Sequence, residues 1–245
     1  MPANRYYTPQ DFNLDSIIEL EPNEATHLKT VMRNQVDDTV EIVNGKGLLG
    51  RAIVFEITKR GVFLKIQNLE QIPYPKQIVL GIGFLVQDRL DLVLEKGCEL
   101  GMTRLVLIKT EHVGKEGFTD AQIDRMRRVL IAGLKQSGRY WLPSIEIKQD
   151  IRSFIEGNDQ VYFGDIDSKS PPFFKALNLK APFKLLVGPA KGFSSSEIQL
   201  LKNSPHCTGV YLSDAVLRAE TAATLMIGLA NHAFLLGSFH LQDQA

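Results

Sequence analysis

The feature that most constrains the fold is a change of rhythm across the segment IPYP, Ile72 to Pro75. Proline gives no N–H to a sheet ladder and stiffens the chain into an extended form, so this segment is read as a domain boundary. Before it, from Thr39 to Ile66, short alternating stretches lie between turn signals: Val40 and Ile42, the Asn44-Gly45 turn, Ile53, Phe55 and Ile57, the turn KRG, then Val62, Leu64 and Ile66. That is a small β-rich module. After it, Ile78 to Leu85 is an apolar run of strand length, and Leu90, Val93, Leu94 and Gly97 fall on one helical face that ends at Gly101. Strands follow at Leu105–Ile108, Ser144–Ile147, Gln160–Phe163, Phe183–Val187 and Thr208–Leu212. A helix opening at Thr119, with Gln122 three residues on, buries Ile123, Met126, Leu130 and Leu134. Strands alternating with helices predict a mostly parallel sheet covered on both faces, with ligands beyond the carboxyl ends of its strands. The expected organisation is a β domain over residues 1–72 and an α/β domain over residues 73–245.

With 245 residues the chain can bury a sizeable core in either domain. Its longest apolar stretch, Leu225 to Gly237, carries Asn231 and His232 and falls short of the ~20 residues that span a bilayer. The first ten residues hold no apolar signal core, so the expectation is a soluble, cytoplasmic protein that touches no membrane. Cys98 and Cys207 lie far apart in apolar surroundings and are read as core thiols. The five histidines are dispersed, with no Cys or carboxylate at ligand spacing, and no metal is expected. The 28 basic and 28 acidic residues cancel, so any nucleic-acid role must rest on local patches.

Three stretches can carry chemistry. GPAKGFSSSE, Gly188 to Glu197, follows the strand FKLLV; Ser194 and Glu197 form a capping box, which starts a helix at about Ser195 and leaves the turn at its electropositive end. That turn is either a ligand-holding loop or an ordinary strand-to-helix turn whose glycines satisfy positive φ. LSDAVLRAETAA, Leu212 to Ala223, places Arg218 and Glu220 beside another helix start, where Glu220 suits the helix dipole and Arg218 could simply pair with it. KQSGRYWLP, Lys135 to Pro143, interleaves basic and aromatic residues after a helix; this suits phosphate contact and base stacking, or a solvated helix end with Tyr140 and Trp141 packed on a sheet. Gly81-Ile82-Gly83 lacks the third glycine of a dinucleotide fingerprint, and no Walker-type GK[ST] occurs.

In this order the segments resemble the SPOUT-superfamily methyltransferases that make 3-methyluridine in small-subunit ribosomal RNA. RYY from Arg5, HLKTVMRNQVDD from His27 and NGKG from Asn44 look like that family's PUA-like domain. EKGCELGMTRLV from Glu95, LKQSGRYWLP, VGPAKGFSSSE and LSDAVLRAETAA are similar to its catalytic-domain elements. The resemblance implies a small N-terminal PUA-like β-barrel ahead of an α/β-knot domain threaded as a trefoil, a rare exception to unknotted topology. It also implies S-adenosylmethionine as cofactor, held by Phe163, Gly164, Leu186, Gly188, Pro189, Gly192, Leu212, Ser213 and Leu217. Arg218, Glu220 and Arg139 are the implied catalytic residues. Arg5, His27, Arg33, Lys135, Gln136 and Arg139 are the implied contacts to 16S ribosomal RNA or the small ribosomal subunit. A homodimer is implied too, and the apolar stretch Thr221 to Leu236 fits one, although it could be buried within one subunit.

The chain departs from the family pattern at several positions. Ala190 and Lys191 stand where Glu and Gly are usual, Ser213 and Ala215 where Gly and Arg are usual, and TEHV, Thr110 to Val113, where an Arg-Ser pair is more frequent. A Cβ at Lys191 or Ser213 could narrow the cofactor pocket. A second reading therefore stands beside the enzyme: a degenerate relative that binds ribosomal RNA or a pre-ribosomal particle without methyl transfer.

Overall fold

The computed structural model describes residues 4–112 and 117–242, so Val113 of the TEHV segment lies outside the described residues. Two compact units result: one takes in the chain up to Pro75 together with Leu130–Leu142, the other Lys76–Val129 together with the chain from Pro143 onward.

In the first unit, β1 (Arg5–Tyr7) and β2 (Ile17–Glu19) precede a short helix α1 (Pro22–Thr26) and one π-helical stretch, His27–Met32. These elements are too short to leave a periodic signal and escape the sequence reading. The hairpins expected next are present as β3 (Thr39–Val43), β4 (Leu48–Ile57) and β5 (Val62–Gln71). The five strands form one mixed sheet in the order β1-β3-β4-β5-β2, in which only β1 and β3 run parallel. Its core holds Tyr6, Leu28, Ile42, Ala52, Val54, Val62, Leu64 and Ile66. On β4 the buried face is the one carrying Ala52 and Val54, and Phe55 is exposed. The alternation suggested by Ile53, Phe55 and Ile57 is broken because the register shifts between Val54 and Glu56, and only after this bulge does Ile57 turn toward the core. Tyr6 donates its hydroxyl to Asn34 Oδ1 at 2.8 Å, and burial followed by Glu24 and Asp38 pushes its pKa up to about 12. Its contribution to stability is therefore complete below the ordinary tyrosine range and lost as the pH rises through about 12.

The second unit opens with β6 (Val79–Gly83), buried at every position, as a strand covered on both faces must be. There follow α2 (Gln87–Glu99), β7 (Arg104–Ile108), α3 (Asp120–Ser137, of which the part from Leu130 on belongs to the first unit), β8 (Ser144–Lys148), α4 (Ile151–Ile155), β9 (Gln160–Asp165), α5 (Phe173–Ala176), β10 (Phe183–Val187), α6 (Ser195–Asn203), β11 (Cys207–Tyr211) and α7 (Ala219–Gln242). Short α4 and α5 are additions to the expected set, and Leu212 lies just past β11 instead of within it. The α2 stripe is as expected, with Leu90, Val93, Leu94 and Gly97 buried and the chain turning at Gly101 in a left-handed conformation. All six strands run parallel in the order β11-β9-β10-β6-β7-β8. One face packs Val79, Val161, Phe163 and Leu186 against Ile151 and Phe154 of α4 and Leu201 of α6. Helix α7 packs against α2, β6 and β10. Glycines 81 and 83 serve this packing, since a Cβ would come within 2.6 Å of the Phe154 ring or of Pro189 N respectively. Cys98 is buried, whereas Cys207 is only half-buried.

The KQSGRYWLP segment, as far as Leu142, belongs to the first unit. Trp141 donates its indole N–H to the Ile72 and Pro73 carbonyls and stacks edge-on against Tyr74 at 4.8 Å. Its ring lies over Gly47, which has φ +87° and whose added Cβ would fall 2.4 Å from the ring. Gly47→Ala is therefore expected to lower unfolding free energy by about 2 kcal/mol or more, from strain and the displaced Trp141. Urea unfolding followed by tryptophan fluorescence checks this; an unchanged midpoint would contradict the packing described.

Candidate functional site

The carboxyl ends of β9, β10 and β11 open into a cleft of about 360 Å³. Three turns line it: Gly164 to Ile166 leaving β9, Gly188 to Phe193 leaving β10, and Leu212 to Leu217 leaving β11. Adjacent parallel strands release their chains at the same sheet edge, which is where an open α/β sheet gathers ligands. Seven of the nine residues singled out for the cofactor line this cleft: Gly164, Gly188, Pro189, Gly192, Leu212, Ser213 and Leu217. Phe163 and Leu186 do not line it, because each points into the core cluster against α4 and α6 while the next residue along its strand faces the other way.

The β10 turn is shaped by its own backbone. Gly192 takes φ +74° and donates its N–H to Pro189 O at 2.8 Å. Ser194 then caps α6: its hydroxyl accepts from Glu197 N at 3.1 Å, and Glu197 accepts from Ser194 N at 2.8 Å. This is the capping box read from the sequence. The departures Lys191 and Ser213 leave the cleft open. Neither has positive φ, so neither position needs a glycine. Ser213 Oγ accepts from Ala215 N at 3.2 Å and closes a local serine turn. Lys191 is exposed at the rim.

The β7 end approaches the same turn. Glu111 donates its N–H to Glu197 Oε1 at 2.9 Å and accepts the Ser196 hydroxyl at 2.8 Å, while His112 Nδ1 lies 3.2 Å from Gly192 O. The Ser194 and Ser196 hydroxyls hold the Glu111 carboxyl below the usual carboxylate range. The Glu111 carboxylate is thus ionised at neutral pH, and the stabilisation it draws from the serine hydroxyls is lost only as the pH falls through that lowered value.

Arg218 is exposed between Leu217 and Ala219, both of which line the cleft, and its side chain makes no hydrogen bond or ion pair among the described residues. Glu220, buried in the first turn of α7, is paired with Arg89 of α2 at 3.1 Å, not with Arg218. That partner lies 131 residues away and leaves no local signal. Sequence reading missed Ala219 and Ala222 on the cleft wall. The alanines were legible in principle, since they sit one helical turn apart in AETAA.

The remaining singled-out residues lie in the first unit. Arg5 is buried; it bonds Glu41 at 2.6 Å and the Arg139 carbonyl at 3.1 Å, and stacks over Tyr140 at 4.9 Å. Lys135 is paired with Glu24 at 2.5 Å. Gln136 and Arg33 are exposed, Arg33 in a left-handed conformation at the end of the π-helical stretch, and His27 is half-buried with its Nδ1 unpartnered. Among the described residues no His, Cys, Asp or Glu cluster could hold a metal, and no helix is long and apolar enough to cross a membrane.

Comparison with known proteins matches this architecture. The chain is 27% identical over 251 residues to "Ribosomal RNA small subunit methyltransferase E" of Rickettsia conorii, with all of both chains covered. It is 27% identical over 221 residues to the protein of that name from Aquifex aeolicus, covering 87% of this chain and 93% of that one. A crystal structure of a Ribosomal RNA small subunit methyltransferase E from Neisseria gonorrhoeae, bound to S-adenosyl methionine, shares the fold with a TM-score of 0.85 at 22% identity, covering 94% of this chain and 97% of that one. Residues 20–67 match the RNA methyltransferase PUA domain, and residues 73–231 match the RNA methyltransferase domain. The chain therefore belongs to the RNA methyltransferase domain family, with an RNA methyltransferase PUA domain ahead of the catalytic domain.

Proposed function

We propose that the protein methylates N3 of a specific uridine in 16S ribosomal RNA, using S-adenosylmethionine bound in the cleft at the ends of β9, β10 and β11. The observation that carries this reading is the convergence of three backbone turns on one cleft, in a chain whose full-length relatives are named small-subunit ribosomal RNA methyltransferases. The lining suits the cofactor chemically. Gly164, Gly188 and Gly192 leave backbone groups accessible, Pro189, Leu212, Leu217 and Ala222 offer apolar wall for a purine, and Asp214 and Lys191 offer opposite charges for an ammonium and a carboxylate. The volume lies in the usual ~300–1,000 Å³ range of small-molecule sites.

The cofactor supplies an already activated sulfonium methyl group. The chain's contribution is then orientation and electrostatics. The turns fix the direction from which a uracil ring can approach, and Arg218, cationic at any physiological pH, supports negative charge developing on that ring; it cannot serve as the base. Glu220 acts through α7, where its pair with Arg89 holds the helix that begins beside Arg218. RNA contacts are assigned to the first unit and the segment from Lys135 to Arg139, with Arg5 and Lys135 shaping that surface through their ion pairs and Gln136 and Arg33 exposed on it. On this reading the protein works in the cytoplasm, where ribosomal subunits are made.

The reading includes a homodimer. Helix α7 buries Ala222, Ala223, Met226, Ile227, Ala230 and Ala233 within its own subunit but leaves Leu235 and Leu236 about half exposed. Light scattering at micromolar concentration should give about twice the 27.4 kDa chain mass; a stable monomer would remove the dimer from the account. Calorimetric titration with S-adenosylmethionine should show binding that Gly188→Trp abolishes without loss of folding. No binding at millimolar cofactor would favour the relative that binds RNA without methylating it. Arg218→Ala should slow methyl transfer about 100-fold while leaving cofactor affinity nearly unchanged, and an unaltered single-turnover rate would strip Arg218 of its role.

A further inference from the structure

Glu111 stands apart from the cleft lining and from the motifs that carry the family resemblance, yet it takes part in a closed ring of hydrogen bonds around the start of α6. Two N–H groups, from Glu111 and Ser194, converge on the two oxygens of the buried Glu197 carboxylate at 2.9 and 2.8 Å. On the other side, Glu197 N donates to Ser194 Oγ, Ser194 Oγ lies 2.8 Å from Ser196 Oγ, and Ser196 Oγ lies 2.8 and 2.9 Å from the two Glu111 carboxylate oxygens. An ionised carboxylate can only accept, so Ser196 gives its single hydroxyl proton to Glu111. The Ser194 hydroxyl lies beside Ser196 Oγ and also favours the ionised Glu111 carboxylate, so both serines support the same anion. His112 extends the same grip, since Gly192 O is an acceptor and the bond requires the proton on Nδ1. The loop leaving β7 thus grips the C-terminal end of the β10 turn and the start of α6, at Gly192, Ser196 and Glu197.

We infer that Glu111 is a positioning residue, which pre-forms the Gly188–Phe193 wall of the cleft by tying the β7 loop to the capping box of α6. The inference rests on the methyltransferase reading for the identity of the ligand, but the brace itself is a property of the chain alone. Its consequence is that cofactor affinity depends on a side chain that never touches the cofactor, because a turn already ordered loses less freedom on binding. The position lies in the TEH segment, where this chain departs from the family pattern.

The test uses the full chain with Glu111→Ala and Glu111→Gln. Glu111 is exposed, so both variants should fold with a melting temperature close to the native one. Amide hydrogen exchange without cofactor should quicken at Lys191, Gly192 and Phe193 in Glu111→Ala and stay native in β6. Calorimetry should show the dissociation constant for S-adenosylmethionine raised about fivefold or more in Glu111→Ala, the scale set by loss of one helix cap. Glu111→Gln, which keeps an oxygen to accept the Ser196 hydroxyl, should restore most of that loss. Native exchange in the turn of Glu111→Ala overturns the brace, and native affinity in that variant overturns its role in binding. Should the native protein itself bind no cofactor, the methyltransferase reading fails separately, and the exchange data still decide whether Glu111 braces the turn.

Discussion

The buried carboxylate of Glu197 is the interaction on which the site depends. A carboxylate so placed must be matched by donors, and here two backbone N–H groups from separate stretches of chain converge on it. One belongs to the helix it caps and the other to the end of β7, so a single side chain fixes both the start of α6 and the distance between two strand ends. Once that is fixed, the turn from Gly188 to Phe193 has little freedom left. The cleft follows, because parallel neighbours β9, β10 and β11 must release their loops at the same edge.

Backbone shaping explains how the cleft tolerates side chains that differ from the family pattern. Lys191 and Ser213 occupy ordinary backbone conformations, and Ser213 uses its hydroxyl to close the turn a glycine would leave looser. Gly192 has no such latitude, since its φ lies in the left-handed region. Arg218 beside the cleft makes no hydrogen bond or ion pair among the described residues, whereas Glu220, two residues on, is buried and spoken for by Arg89. Their proximity in sequence allowed a local pair; among the described residues Glu220 pairs instead with Arg89, as a structural anion.

Much of this was legible in the residues. The period of the α2 stripe, the strand-length apolar runs and the Ser194–Glu197 spacing each report a local rule, and each appears where expected. The bulge in β4 was not legible, because alternation in sequence says nothing of where an extra residue enters a ladder, and Phe55 was assigned accordingly. Phe163 and Leu186 were placed in the cofactor loops although each is the inward residue of an alternating pair, a parity that becomes visible only once strand ends are known. The Glu111 ring and the Arg89–Glu220 pair join residues 85 to 131 positions apart and leave no trace in any window of sequence.

The most direct test of the central claim is a single-turnover reaction of the purified protein with methyl-labelled S-adenosylmethionine and small ribosomal subunits that lack the modification, followed by nucleoside analysis of the RNA. The account predicts label in 3-methyluridine from one site of 16S ribosomal RNA and none with the Gly188→Trp variant. Label in a different nucleoside would contradict the assigned chemistry, and a complete absence of label from protein that binds the cofactor would contradict methyl transfer to this RNA.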